Sequence, residues 1–151
     1  NQLETQENMA QLSKQLQSIK SEYSTLQQNN QLVTQQYVVL KDLGTKHIRM
    51  QGTAHAPSAK VVVYWNNDHN KALLNVVNLP KAPHGHQYQV WADVNGKHMD
   101  MGLLNAGKGE SNLHQLPFIN DCLGFVITLE VEGGSPHPNT DKMYATGEMS
   151  L

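Results

Sequence analysis

The sequence predicts a mainly β protein, a compact β-sandwich-like domain preceded by a long N-terminal coiled-coil α-helix. Three observations predict it. Apolar residues recur at steps of three and four from Met9 to Leu40, which is heptad spacing. After Gly44 the period falls to two, in short runs separated by turn residues. Composition changes at the same border: the first 43 residues hold ten of the fourteen Gln and no Gly, Pro or His, whereas all 11 Gly, 6 Pro and 8 His follow. Residues 1–43 are therefore expected to form an oligomerising helix and residues 44–151 an all-β domain.

The helical seam places Met9, Leu16, Tyr23, Asn30 and Tyr37 at a positions and Leu12, Ile19, Leu26, Val33 and Leu40 at d positions. Between them lie Gln, Ser, Lys, Glu and Asn, with no helix breaker. A stripe this narrow covers a globular core poorly but can bury itself against a copy of itself. Asn30 is the polar residue on the seam, and such a residue selects register and orientation at a cost in stability. Few charges fall at e and g, so a parallel homo-oligomer is expected, with the number of helices open. The alternative is an amphipathic helix folding back on its own domain.

Beyond Gly44, His47–Gln51 and Lys142–Met149 are candidate edge strands. Lys60–Trp65 is a β-branched and aromatic run, and Ala72–Val77 is a second apolar stretch across the Asn66-Asn67-Asp68 turn. In His86–Val94, Tyr88, Val90, Ala92 and Val94 share one face, so Tyr88 and Trp91 are expected on opposite faces, one in the core and the other outward or in a groove. Asn95-Gly96 is a strong hairpin signal, with Lys97–Leu103 returning. Asn105–Asn120 reads as a loop with at most one short element. In Gly124–Glu132, Phe125, Ile127, Leu129 and Val131 alternate with Val126, Thr128, Glu130 and Glu132, the latter set expected to face solvent.

Several function classes are excluded or disfavoured. Eleven basic against 13 acidic residues, a net charge of −2, remove the electrostatic footprint of a nucleic-acid binder. No apolar run reaches the roughly 18 residues of a membrane span. The chain opens at Asn1 without a basic-then-apolar leader, as expected of a mature product or a piece of a longer chain. The lone Cys122 excludes an intrachain disulfide, and its neighbours lack the His and Met of a blue-copper loop, so it reads as a small apolar residue at a strand start. His84-Gly85-His86 is the most suggestive metal pair, but no third ligand accompanies it by spacing. Gly107-Lys108-Gly109-Glu110 lacks the full phosphate-loop pattern, and Asp93 and Asp100 read as turn residues. No nucleophile elbow or acid–base dyad emerges. A non-enzyme without a cofactor is expected, with a metal- or small-ligand-binding β module on an oligomerising stalk as the alternative.

Three segments then point to a family. Asn75-Val76-Val77-Asn78-Leu79-Pro80 ends a strand at a Leu-Pro corner, Gln87-Tyr88-Gln89-Val90-Trp91 follows, and Glu130-Val131-Glu132-Gly133-Gly134-Ser135 leads into Pro136-His137-Pro138. With Val63-Tyr64-Trp65 upstream, this series resembles the C-terminal, extracytoplasmic domain of RskA-type anti-sigma factors, over about residues 46–149. Trp65, Leu79, Pro80, Tyr88, Gln89, Trp91, Gly133, Gly134 and Ser135 carry the resemblance. Val90 stands where the family usually has Leu, and Asn139 where Thr is common. The resemblance implies the periplasmic regulatory region of a single-pass membrane protein. Its absent cytoplasmic part would sequester an extracytoplasmic-function sigma factor until a regulatory protease releases it. The motif residues themselves are expected to serve structure.

Overall fold

The computed structural model of the protein describes residues 1–104 and 113–149. The chain divides into two compact units, Asn1–Val38 and Val39–Leu151. Helix α1 runs from Gln2 to Lys41. Its length follows from a sequence rich in straight-chain residues with no Gly or Pro. Asn1 caps it, its side-chain oxygen accepting the Leu3 amide at 3.0 Å. Glu4 in the first turn and Lys41 in the last complement the helix dipole. Within the single chain the large apolar seam side chains stand exposed, from 38 % at Leu40 to 65 % at Met9.

The second unit holds eight strands: β1 (Lys46–Gly52), β2 (Lys60–Asn66), β3 (Lys71–Asn78), β4 (His86–Val94), β5 (Lys97–Leu104), β6 (Leu113–Leu116), β7 (Cys122–Val131) and β8 (Met143–Glu148). They form one antiparallel sheet in the order β5-β4-β7-β8-β1-β2-β3-β6. The two outermost strands, β5 and β6, approach each other, so the sheet nearly closes. The mainly β expectation is met. Every strand sends residues to one core, among them Met50, Val63, Trp65, Leu74, Tyr88, Met101, Leu116, Phe125, Ile127 and Ala145. Burying each large aliphatic or aromatic side chain contributes about 1.5–3 kcal/mol. Trp65 stacks on Phe118 with ring centroids 4.5 Å apart.

Turn chemistry appears where the residues dictate it. Asn95 and Gly96 both take positive φ, 55° and 80°, as a two-residue hairpin requires. Asp93 accepts the Gly96 amide in the turn, the role expected of it, whereas Asp100 lies within β5 and accepts the Gly102 amide at the strand's irregularity. Cys122 opens β7, buried, and burial raises its thiol pKa above the ordinary value.

One expectation is corrected. β1 and β8 are interior strands rather than edges, because β8 bridges β7 and β1 and so joins the two halves of the sheet. The one short element allowed within Asn105–Asn120 is β6, which pairs with β3, while residues 105–112, including the Gly107-Lys108-Gly109-Glu110 stretch, lie outside the described residues.

The last helical turn belongs to the second unit, and a polar cluster closes it. Val39 is buried, and its carbonyl accepts the Thr45 hydroxyl. Asn66, fully buried, donates to Thr45 Oγ1 at 2.9 Å and accepts the His69 amide at 2.8 Å. Asp42 accepts the Gly44 amide at 2.8 Å, and its other oxygen lies 2.9 Å from His69 Nε2. The Gly44 amide, then the Asn66 side chain and His69, hold the Asp42 carboxyl below the ordinary range. A depressed folded pKa means that the stabilisation is present above the unfolded value, near pH 4, and is lost as pH falls through the folded one. Asp42→Asn is therefore expected to lower the melting temperature at neutral pH, with the gap to the native chain closing below about pH 4. Melting curves from pH 2 to 7 check this, and a gap independent of pH would contradict it.

Candidate functional site: the motif strap and its cleft

The family-motif residues are far apart in sequence, and the fold gathers Gln89, Gly133, Gly134 and Ser135 on one face of the sheet while Tyr88 and Pro80 bond each other on the opposite one. Tyr88 and Gln89 sit next to each other on β4 and point to opposite faces. Tyr88 enters the core, where its hydroxyl donates to the Pro80 carbonyl at 2.7 Å and ties β4 to the Leu-Pro corner. Its ring meets Tyr144 edge-on at 5.3 Å. Burial, and secondarily Tyr144, push its pKa up to about 12, so it remains a donor at physiological pH. Leu79 packs partly buried against the core, while Pro80 is exposed.

On the other face, Gln89 reads the backbone of Ser135 twice. Its Oε1 accepts the Ser135 amide at 2.9 Å, and its Nε2 donates to the Ser135 carbonyl at 3.2 Å. Gln87 accepts the Gly133 amide at 3.1 Å. Trp91 donates through Nε1 to Thr128 Oγ1 at 2.9 Å, Thr128 donates to Glu130 Oε2, and that same oxygen accepts the Asn139 amide at 2.8 Å. Residues 133–139 thus form a strap held to β4 and β7 by side chains rather than by a strand ladder. Gly133 and Gly134 take φ of 94° and 86°, a region other residues avoid.

Two further expectations are corrected here. Tyr88 and Trp91 do lie on opposite faces, yet both are fully buried. The Trp91 ring lies outside the main core and has the strap's anchors around it. Glu130, expected on a solvated face, is only 4 % exposed, because the strap lies over that part of β7. Glu132, beyond the end of β7, is exposed as expected. The signal for this burial was the Gly-Gly-Ser after the strand, which lets the chain reverse over its own outer face.

Beside the strap lies a cleft of about 370 Å³ lined by His86, Glu130, Ser135, His137, Asn139 and Lys142, among others. His86 Nδ1 lies 3.1 Å from the His84 carbonyl. Among the described residues no three His, Cys, Asp or Glu side chains gather where an ion could be held. A larger cleft, about 470 Å³, opens over β1 and β2 on another part of the sheet.

The strap gives a test. A Cβ on Gly134 would stand 2.9 Å from Gln89 Oε1 and 3.0 Å from Leu103 Cδ2, in addition to the strain of positive φ. Gly134→Ala is expected to destabilise the β domain by about 1–3 kcal/mol and to shift Trp91 emission to longer wavelength. Urea unfolding followed by fluorescence measures both, and native stability in the variant would mean the strap bears no load.

Comparison with known proteins covers both units. Comparison with curated proteins gave no match, and comparison with solved structures gave none. Among the described residues no helix is long and apolar enough to cross a membrane. The model of the family described as anti-sigma-K factor RskA, C-terminal, matches residues 2–149. That span includes the helix as well as the β domain, beyond the stretch from about residue 46 over which the motifs are recognisable. On that match, the motif-bearing chain belongs to the anti-sigma-K factor RskA C-terminal family.

Proposed function

We propose that this chain is the extracytoplasmic regulatory region of a single-pass membrane anti-sigma factor. A cytoplasmic segment of the same protein would hold an extracytoplasmic-function sigma factor away from RNA polymerase, and a regulatory protease would end that hold. The observation that carries the reading is the family match, which takes in helix and β domain together. Deleting the gene in its host is expected to raise transcripts from promoters of the cognate sigma factor. Unchanged transcripts would overturn the reading.

The helix supplies the mechanical half of the proposal. Its seam residues Met9, Leu12, Leu16, Ile19, Tyr23, Leu26, Val33, Tyr37 and Leu40 are exposed in the single chain, and a parallel homo-oligomeric coiled coil would bury them. Asn30 argues for the parallel arrangement, since only there does each copy face its own counterpart across the seam. A signal that spreads or melts the coil would expose a segment for cleavage.

Sedimentation equilibrium of residues 1–151 is expected to show an oligomer, and a monomer at every concentration would remove the coil. Asn30→Leu is expected to stabilise the coil by about 1–3 kcal/mol, the cost of a polar group on an apolar seam, and to relax its oligomer number. Unchanged melting and mass would place Asn30 off the seam.

A further inference from the structure

The larger cleft of the β domain has a chemistry of its own, independent of the anti-sigma reading. Its volume, about 470 Å³, falls within the ~300–1,000 Å³ of small-molecule sites. Register places its groups on one outer face. Arg49 pairs with Val62 and Gln51 with Lys60 across β1 and β2, so all four side chains point the same way. A β-bulge at Lys60/Val61 leaves Val77 of β3 out of the ladder, and its side chain is 56 % exposed beside them. Bulges characteristically re-aim a side chain in this way. Pro57 and Ala59, from the loop between β1 and β2, complete the apolar wall.

The charge is one-sided. Arg49 and Lys60 line the cleft, no carboxylate does, and neither cation has an ion pair among the described residues. Arg presents a planar fork that matches a carboxylate or phosphate, and Lys adds a point charge. An apolar wall bordered by two cations that no described residue compensates is complementary to a molecule with one alkyl or ring portion and one anionic head. We propose that this cleft binds a free monoanionic amphiphile of medium chain length. The head sits at Arg49 and Lys60, and the chain lies along Val62, Val77 and Pro57.

Isothermal titration calorimetry of the whole chain with sodium decanoate, below its micelle concentration, tests this. The expected result is one saturable site per chain, with no site for acetate or for decyltrimethylammonium. Arg49→Gln with Lys60→Gln is expected to weaken decanoate binding by about tenfold or more, as loss of charge-assisted hydrogen bonds would. Val77→Ser is expected to weaken it while leaving the charge intact. The exposed helical stripe is a second place for an alkyl chain, so decanol serves as the comparator. Equal uptake of decanol and decanoate, unchanged in the Arg49→Gln/Lys60→Gln chain, would overturn the proposal. So would the absence of saturable decanoate binding, or binding to anionic phospholipid vesicles alone.

Discussion

A chain segment without strand partners must satisfy its backbone amides elsewhere, and in residues 133–139 the amides of Gly133, Ser135 and Asn139 find the side chains of Gln87, Gln89 and Glu130 while Gly134 donates to the Val131 carbonyl. Much of the outer face of β4 and β7 depends on that arrangement. Without the strap, Glu130 would lose the Asn139 amide that it accepts. With it, Trp91, Thr128, Glu130 and Asn139 form one hydrogen-bonded chain. No buried side-chain polar atom among the described residues lacks a partner, so the network carries no desolvation penalty left unmet.

This arrangement explains why the family motifs take the form they do. The Tyr88-Gln89 pair performs two anchoring tasks on two faces of one strand, toward Pro80 on the inside and Ser135 on the outside. Glutamine suits the second task because one amide offers a donor and an acceptor in a plane, matching the carbonyl and amide of a single residue. Glycine suits position 134 because the Gln89 side chain occupies the space a Cβ would need. Part of the motif fastens the strap, and part, Trp65, Leu79, Pro80 and Tyr88, builds the core and its corner.

Much of the architecture was legible from local chemistry. The change of period at Gly44, the hairpin at Asn95-Gly96 and the boundaries of β4 all follow from spacing and turn residues. What escaped was decided by distant parts of the chain. Nothing local to Lys46–Gly52 or Met143–Glu148 says that these strands lie in the middle of the sheet, because that depends on β8 returning between β7 and β1. Alternation along β7 correctly assigned Phe125 and Ile127 inward, but Glu130 looks solvated until the strap is placed over it. Trp91 escaped for the same reason, since parity names its face but not what lies on it. The Arg49–Lys60 cleft was invisible because it rests on strand register and on a bulge.

The two edges of the sheet have a consequence for how the protein can multiply its contacts. At one end β6 is only four residues long. At the other, β5 carries a register irregularity opposite Gln89 and Trp91, with Gly102 at a φ of 110° within it. Short, kinked borders make poor templates for a foreign strand, which discourages fibril growth and runaway edge-to-edge stacking. Such a head can be crowded at high local density without one copy's strands recruiting another's.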